Sequence, residues 1–444
     1  MINFKGDLFA TAVSFAGLAV LKLLSSVILT RLLYPEAYGI ITMIASIAYV
    51  IEMISDVGVL GLMIRHERAD EPVFINTMWT LRLVRGAINA GIVFVLAPLL
   101  AGLYEEPALA EALRIFSVWF LIYAFESMSF ALAIRRRNAR VVSYSELACT
   151  VASTLFVIVY SYFRRDWHGM VYGMVVNRAL MLVASYGFYR SERPRLQFDR
   201  SVFDASMGYA KYVLPSSLLT LLVSQFDKFI FLKLFNIQLL GLYGLAGNIV
   251  SPIDSLVMRV SRAVLYPRCA ENFRREPSTV REKYYHENVK LLLLILFLPS
   301  ALAGSARLLV HVLFDPRYAY SAVIVEAFAL RGMVAALAGP AENVLVATGT
   351  PKPVLLANAM RAVWLLPGSL IANALWGFEG FLYVTALQGL PALAYFLWLQ
   401  RRRELLIARY EAMKLGYMAL VYLATLLVCS QLMAIVPSLT IRGR

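Results

Sequence analysis

The stretch Leu291-Leu-Leu-Leu-Ile-Leu-Phe-Leu298, carried on by Ala301, Leu302 and Leu308–Val310, decides the fold class. A helix packed on a soluble core shows apolar residues on one stripe only; this run is apolar all round. A hydrocarbon core about 30 Å thick is crossed by roughly 20 such residues. Similar runs recur, as in Ile92–Leu100, and hydrophobic residues make up 60% of the 444-residue chain. Soluble domains use about 45–50%, and the mean hydropathy here is +0.69. The reading is an all-α integral membrane protein.

Windows of about 19 residues place helices at 9–33, 38–64, 78–104, 112–134, 145–163, 168–190, 210–235, 240–268, 287–314, 322–348, 353–375, 379–400 and 414–436. The first run is too long for a signal-peptide core and lacks a small-residue cleavage site, so it is kept as a helix. With a cytoplasmic N-terminus, the inside loops hold Arg65 and Arg68; Arg135, Arg136, Arg137 and Arg140; Arg190, Arg193, Arg195 and Arg200; Arg268, Arg274, Arg275, Arg281 and Lys283; Lys352; and Arg401, Arg402, Arg403 and Arg409. Outside loops hold Arg164, Arg165 and Arg317, with acids such as Glu105, Glu106 and Glu111. This asymmetry is the positive-inside rule, and it accounts for much of the net charge of +14 without nucleic-acid binding. Thirteen crossings put Arg442 and Arg444 outside. The last segment is therefore either re-entrant or a crossing that two terminal arginines do not oppose.

No loop is long enough for an extracytoplasmic catalytic domain. Cys149, Cys269 and Cys429 are too scattered for a disulfide framework or metal site. His66, His168, His286 and His311 lack ligand spacing, and no Walker loop, nucleophile elbow or zinc motif occurs. Gly169-x-x-x-Gly173 reads as a close helix contact.

Shifting the chain by 202 residues sets Leu29-Thr-Arg-Leu-Leu-Tyr-Pro-Glu-Ala-Tyr-Gly39 against Phe231-Leu-Lys-Leu-Phe-Asn-Ile-Gln-Leu-Leu-Gly241. Helix end, turn, glycine and new helix coincide. Identity is low, so the match is either chance or the trace of two six-helix halves of like topology, which would be parallel repeats as in rocking transporters. The expected division is an N-terminal lobe over 1–195, a C-terminal lobe over 196–400, and a basic loop with an additional helix over 401–444.

Ionisable groups inside spans mark cavities or partners. Lys22, Arg178 and Arg361 lie deep in their segments; Arg82, Arg85, Arg259 and Arg262 lie near the inner boundary, and Lys228 and Arg331 in outer portions. The acids are Glu52, Asp56, Glu126, Asp227, Asp254, Glu326 and Glu342. Helical spacing aligns Thr42, Ser46, Tyr49, Glu52 and Asp56; Ser216, Thr220, Ser224 and Asp227 or Lys228; Ser251, Ser255, Arg259 and Arg262; and Ser14, Lys22 and Ser26. Such stripes line a central cavity between two halves. Lys22, Arg82, Arg85, Arg178, Lys228, Arg259 and Arg361 are its candidate cations, and an excess of cations selects an anionic substrate such as a lipid-linked diphosphate. Arg82, Arg85 and Arg259 are equally explained by snorkelling to lipid phosphates, and Asp227–Lys228 and Asp254 by structural ion pairs. Glu52 and Asp56 are either partners of Lys22 or, with Asp254, proton or sodium sites. No other cofactor and no metal is implied.

Arg31-Leu-Leu-Tyr-Pro-Glu-Ala-Tyr-Gly39, then Ser55-Asp-Val-Gly-Val-Leu-Gly-Leu-Met-Ile64 and Phe74-Ile-Asn-Thr-Met-Trp79, resembles the opening of the polysaccharide-transporter (Wzx-type oligosaccharide flippase) family. Asp227-Lys-Phe through Leu240-Gly-Leu-Tyr243 resembles the start of its second half. The resemblance implies the multidrug/oligosaccharidyl-lipid/polysaccharide (MOP) fold: two six-helix lobes around a central cavity, with about 12–14 transmembrane helices. It implies a non-enzymatic transporter of the bacterial inner membrane that carries undecaprenyl-diphosphate-linked oligosaccharide repeat units to the periplasmic leaflet for exopolysaccharide, capsule or O-antigen synthesis. Its expected partners are that glycolipid, membrane lipids, and polysaccharide polymerase and export machinery. A peptidoglycan lipid-precursor flippase and a MATE-like multidrug exporter of the same superfamily are the alternatives. A membrane glycosyltransferase or polymerase would need a sizeable outside loop.

Overall fold

A computed structural model describes residues 4–187, 194–349 and 352–435. Arg190, Arg193, Arg442, Arg444 and the side chains of Ser216, Thr220 and Ser224 lie outside the described residues. Every regular element among the described residues is helical, and ten stretches are long and apolar enough to cross a membrane. The chain is a multi-pass membrane protein. Apolar side chains such as Val95, Leu99 and Phe163 stand open on the helix surfaces, which water would penalise and hydrocarbon does not.

Contacts divide the chain into two compact units, Met1–Gly241 and Leu242–Arg444. The first holds α1 (Phe4–Leu32), α2 (Pro35–Ser55), α3 (Val59–Arg65), α4 (Pro72–Leu103), α5 (Pro107–Phe125), α6 (Ser129–Arg135), α7 (Ala139–Arg164), α8 (His168–Gly187) and α9 (Arg200–Leu234). Pro35, Pro72 and Pro107 open their helices, where the missing N–H costs nothing. Within this unit α4 lies on α5, α1 and α8 on α7, α8 on α5, and α2 on α9. The paired glycines behave as expected: a Cβ at Gly173 would stand 2.1 Å from Val157 Cγ2, and one at Gly169 would stand 2.7 Å from Tyr160 Cδ1.

The continuous helices expected at 38–64 and 112–134 are each broken, α2 from α3 at 56–58 and α5 from α6 at 126–128. At the first break, Asp56 Oδ1 accepts the Gly58 N–H at 2.9 Å, and Gly58 is left-handed at φ 74°, a conformation glycine adopts without strain. Tyr209 of α9 packs on it so closely that a Cβ would lie 2.3 Å from the ring. The short helices α3 and α6 are sealed to α4 and α9 by Leu62, Met63, Phe74, Met78, Leu132 and Val202. Arg135, ending α6, donates to the carbonyls of Ile64 and His66 at 3.1 and 2.9 Å and pairs with Asp70 at 2.7 Å, closing the exposed end of α3.

The second unit holds α10 (Ile237–Val260, its first residues belonging to the first unit), α11 (Tyr266–Arg275), α12 (Val280–His286), α13 (Val289–Leu313), α14 (Ser321–Ala347), α15 (Lys352–Ala386), α16 (Leu390–Arg402) and α17 (Ala408–Ile435). A π-helical turn at Ser261–Leu265 interrupts the segment expected at 240–268, about 202 residues after the break at 56–58. The boundary expected between 353–375 and 379–400 is the kink at Gly377, and the segment expected at 379–400 is itself broken by a turn at 387–389. The last segment, left open as crossing or re-entrant, is a continuous 28-residue helix packed along α13.

Candidate functional site

Trp79, Arg82, Arg85 and Asn89 recur on α4 at steps of three, three and four and so share one face. Each donates to a broken helix. Trp79 Nε1 reaches the Glu126 carbonyl at 3.1 Å, and Arg82 Nη2 reaches the Ser127 carbonyl at 3.3 Å. Arg85 donates to the Glu52 carbonyl at 3.1 Å and to Ser55 Oγ at 3.0 Å, which Asn89 also reaches at 3.0 Å. A carbonyl freed by a break within hydrocarbon costs several kcal/mol unless paired. The polar face of α4 supplies those partners.

From the other side α8 completes the second break. The Ser127 N–H donates to Ser185 Oγ at 3.0 Å, the hydroxyls of Ser127 and Ser129 both donate to the Ser185 carbonyl, and Tyr186 Oη donates to the Phe125 carbonyl at 2.8 Å. The break is thus fully built, and it turns the Glu126 side chain toward α8. There Glu126 Oε1 stands 2.9 Å from Arg178 Nε, with the carboxylate 4% and the guanidinium 18% exposed. The Arg178 guanidinium lies 4.0 Å from the Tyr123 ring centre and 5.0 Å from that of Trp119; Arg82 lies 5.3 Å from Tyr123. Both ring faces add cation–π attraction.

Neither Glu126 Oε1 nor Arg178 Nε forms an aligned hydrogen bond despite that separation. The separation is that of an ion pair, and Arg178 Nε has no aligned hydrogen bond among the described residues. Asp56 pairs with Arg85 at 3.5 Å, not with Lys22, and Glu52 lies within electrostatic reach of Arg85, Arg178 and Asp56. Arg82, Arg85 and Arg178 are therefore balanced by Glu52, Asp56 and Glu126. Arg82 and Arg85 each donate to a backbone carbonyl, and Arg82 Nε, like Arg178 Nε, has no aligned acceptor among the described residues.

The other predicted residues stand apart. Lys22 and Lys228 lie within electrostatic reach of each other across α1 and α9, and Lys228 Nζ donates to Gln225 at 2.9 Å. In the second unit Asp254 faces Arg331 at 4.0 Å, with that guanidinium over Phe328 at 4.4 Å. Arg361 donates to Asn358 at 3.3 Å with Glu342 in reach, and Arg259 is exposed beside the π-helical turn. Among the described residues no group of His, Cys, Asp or Glu could hold a metal ion.

A sequence profile described as "Polysaccharide biosynthesis protein" matches residues 28–323. The amylovoran biosynthesis protein AmsL of Erwinia amylovora is 22% identical over 275 residues, 60% of this chain and 71% of that protein. The teichuronic acid biosynthesis protein TuaB of Bacillus subtilis is 22% identical over 300 residues, 67% of this chain and 62% of that one. The inward closed lipid II flippase MurJ superposes with a TM-score of 0.64 at 13% identity, over 98% of this chain and 99% of that one. An inward-facing multidrug resistance MATE transporter of the MOP superfamily gives 0.61 at 13% identity, over 86% and 94%. The fold is that of the MOP transporters.

Proposed function

Because the chain belongs to the polysaccharide biosynthesis protein family and carries a transporter fold, we propose that it is a flippase for lipid-linked oligosaccharides. It moves undecaprenyl-diphosphate-linked repeat units from the cytoplasmic to the periplasmic leaflet of the bacterial inner membrane, by alternating access and without chemical change to its cargo. The observation that carries this reading is Arg178, a guanidinium within the helix bundle whose Nε is not aligned on its carboxylate partner. A diphosphate offers the paired acceptors that a guanidinium fits. It displaces Glu126, which retakes Arg178 once the head group has left. Lys22 and Lys228 add positive field in the same unit.

The membrane potential opposes export of the anionic head group by about 2.3 kcal/mol per charge per 100 mV. Glu52, Asp56 or Asp254 couples transport to a proton or sodium gradient, or a periplasmic polymerase draws the product away. The test is complementation of a strain lacking its own repeat-unit flippase, read as polymer on the cell surface. The chain restores polymer, and Arg178→Ala, still present in the membrane, does not. No restoration by the unaltered chain, with rescue of a strain depleted of its lipid II flippase instead, overturns the reading in favour of a peptidoglycan precursor.

A further inference from the structure

On the first unit, between α1, α2, α5, α7 and α8, lies an open cavity of about 360 Å³, within the roughly 300–1,000 Å³ range of small-molecule sites. Its polar lining is Ser25, Trp119, Thr150, Ser153, Thr154 and Asn177, set among aliphatic and methionine side chains. Ser25 and Ser153 turn their hydroxyls onto carbonyls of their own helices, those of Lys22 at 3.0 Å and Thr150 at 3.1 Å. Asn177 Nδ2 donates to Ser153 Oγ at 3.1 Å and more distantly to Thr150 Oγ1. This fixes the amide with Oδ1 turned away from its donors. Neither that oxygen nor Thr154 Oγ1 is bonded to a described residue.

We propose that this cavity holds a neutral pyranose ring of the transported glycan, stacked on Trp119 and hydrogen-bonded by Thr154 and Asn177. The proposal rests on the flippase reading and names the part of the cargo that meets this unit. An aromatic platform with hydroxyl and amide groups suits a sugar, whose ring has an apolar face and a polar edge. An acyl chain would leave Thr154 and Asn177 facing hydrocarbon unpaired, which a buried polar group resists. A cationic drug finds no carboxylate in the lining. Trp119 also carries the Arg178 guanidinium at 5.0 Å, and Asn177 and Arg178 are consecutive on α8. The sugar in the cavity is accordingly the one nearest the diphosphate.

The test uses the full purified chain in detergent with three probes: undecaprenyl diphosphate bearing a neutral hexose disaccharide, bare undecaprenyl diphosphate, and the free disaccharide. Quenching of tryptophan fluorescence is the readout, assigned to Trp119 by its loss in Trp119→Phe. Thr154→Val and Asn177→Leu are each expected to weaken binding of the glycosylated lipid about tenfold, as one lost hydrogen bond does, and to leave the bare lipid unchanged. Thr154→Ser, which keeps the hydroxyl, keeps the affinity and shows that the site still folds. Equal weakening of both lipids marks a packing or acyl-chain role and overturns the proposal; so does no change for either. Polymer restored in cells together with unchanged binding in Asn177→Leu sinks the cavity assignment alone. Saturable quenching by the free disaccharide, without restored polymer, sinks the flippase reading and leaves the sugar site standing.

Discussion

Gly39 and Gly241, 202 residues apart in the chain, occupy equivalent places in two turns that pack on each other reciprocally. A Cβ on Gly39 would meet the Ile237 carbonyl oxygen at 2.2 Å, and one on Gly241 would meet that of Pro35 at 1.9 Å. Pro35 and Ile237 stand at the same offset of 202, and so do Glu36 and Gln238, joined by a 2.6 Å hydrogen bond from Gln238 Nε2. A chance alignment has no reason to appear as contacts at its own offset. The contacts at this offset are reciprocal, and all of them lie within the first unit.

Alanine at either glycine forces two backbones apart. Gly39→Ala and Gly241→Ala should each destabilise the chain by about 1–3 kcal/mol, as overpacking does. Because they strain one shared contact, the double variant should lose less than the sum. Melting temperatures in detergent of the two single variants and the double check this; full additivity would show that the turns do not act on each other.

Arg85 closes carbonyl and hydroxyl groups at the first break. Arg85→Ala should cost about 1.5–3 kcal/mol for each charge-assisted bond lost. Arg85→Lys should recover little, because one ammonium does not reproduce a planar fork. Thermal melting ranks the three proteins, and a lysine variant as stable as the parent would contradict the placement.

Removing one partner of the buried Glu126–Arg178 pair should cost about 3–5 kcal/mol, while an apolar replacement of both should cost far less. A double-mutant cycle with Glu126→Leu and Arg178→Met checks this by melting. The transport readout separates the roles: on the proposed function, Arg178→Met should abolish polymer export in either background, and export retained in the double variant would contradict a cargo role for the guanidinium.

The membrane helices were legible in the sequence because hydrocarbon demands long uninterrupted apolar runs. Of the breaks, Asp56-Val-Gly58 carried a turn signal, an Asp accepting from a glycine two residues on, inside a run that hydropathy read as continuous. The second break carried almost none: Glu126-Ser-Met-Ser129 is recognisable only once Ser185, Trp79 and Arg82 are brought to it. Glu126 appeared in sequence merely as one more membrane acid. The carbonyls that Arg82 and Arg85 reach were equally hidden, since hydropathy registers a charge at depth and not the backbone group facing it. Trp119, Thr154 and Asn177 gave no signal at all, because their convergence depends on how α5, α7 and α8 pack.

Asp199 caps α9, accepting from the Ser201 hydroxyl and from the amides of Ser201 and Val202. The Ser201 hydroxyl, then the Val202 amide, hold its carboxyl below the usual range. A carboxyl depressed in the folded state adds stability above its unfolded value, about 3.9, and loses it as pH falls through the lower folded value. Melting temperature should drop below about pH 4 with a contribution that Asp199→Asn removes, the amide oxygen still capping the helix. Identical pH profiles for parent and variant would refute it.

Lys414 anchors α17 from the inside. Its ammonium is 2.5 Å from Glu411 Oε1 with 3% of the side chain exposed, and it lies 5.9 and 5.6 Å from the ring centres of Tyr284 and Tyr285. Tyr285 Oη donates to the same carboxylate at 2.8 Å. Farther along, Tyr422 donates to Glu326 at 2.9 Å, and a Cβ on Gly304 of α13 would strike Thr425 Oγ1 at 2.0 Å. The helix is tied to its unit at three points along its length, while most of its surface stays exposed. Glu411→Ala leaves a buried ammonium without its anion and should cost about 3–5 kcal/mol, whereas Lys414→Met with Glu411→Gln removes both charges and should recover most of that loss. Protease release of the C-terminal helix from detergent-solubilised protein measures the docking directly: rapid cleavage in Glu411→Ala and slow cleavage in the double variant are expected. Equal cleavage in all forms would place the anchor elsewhere on α17.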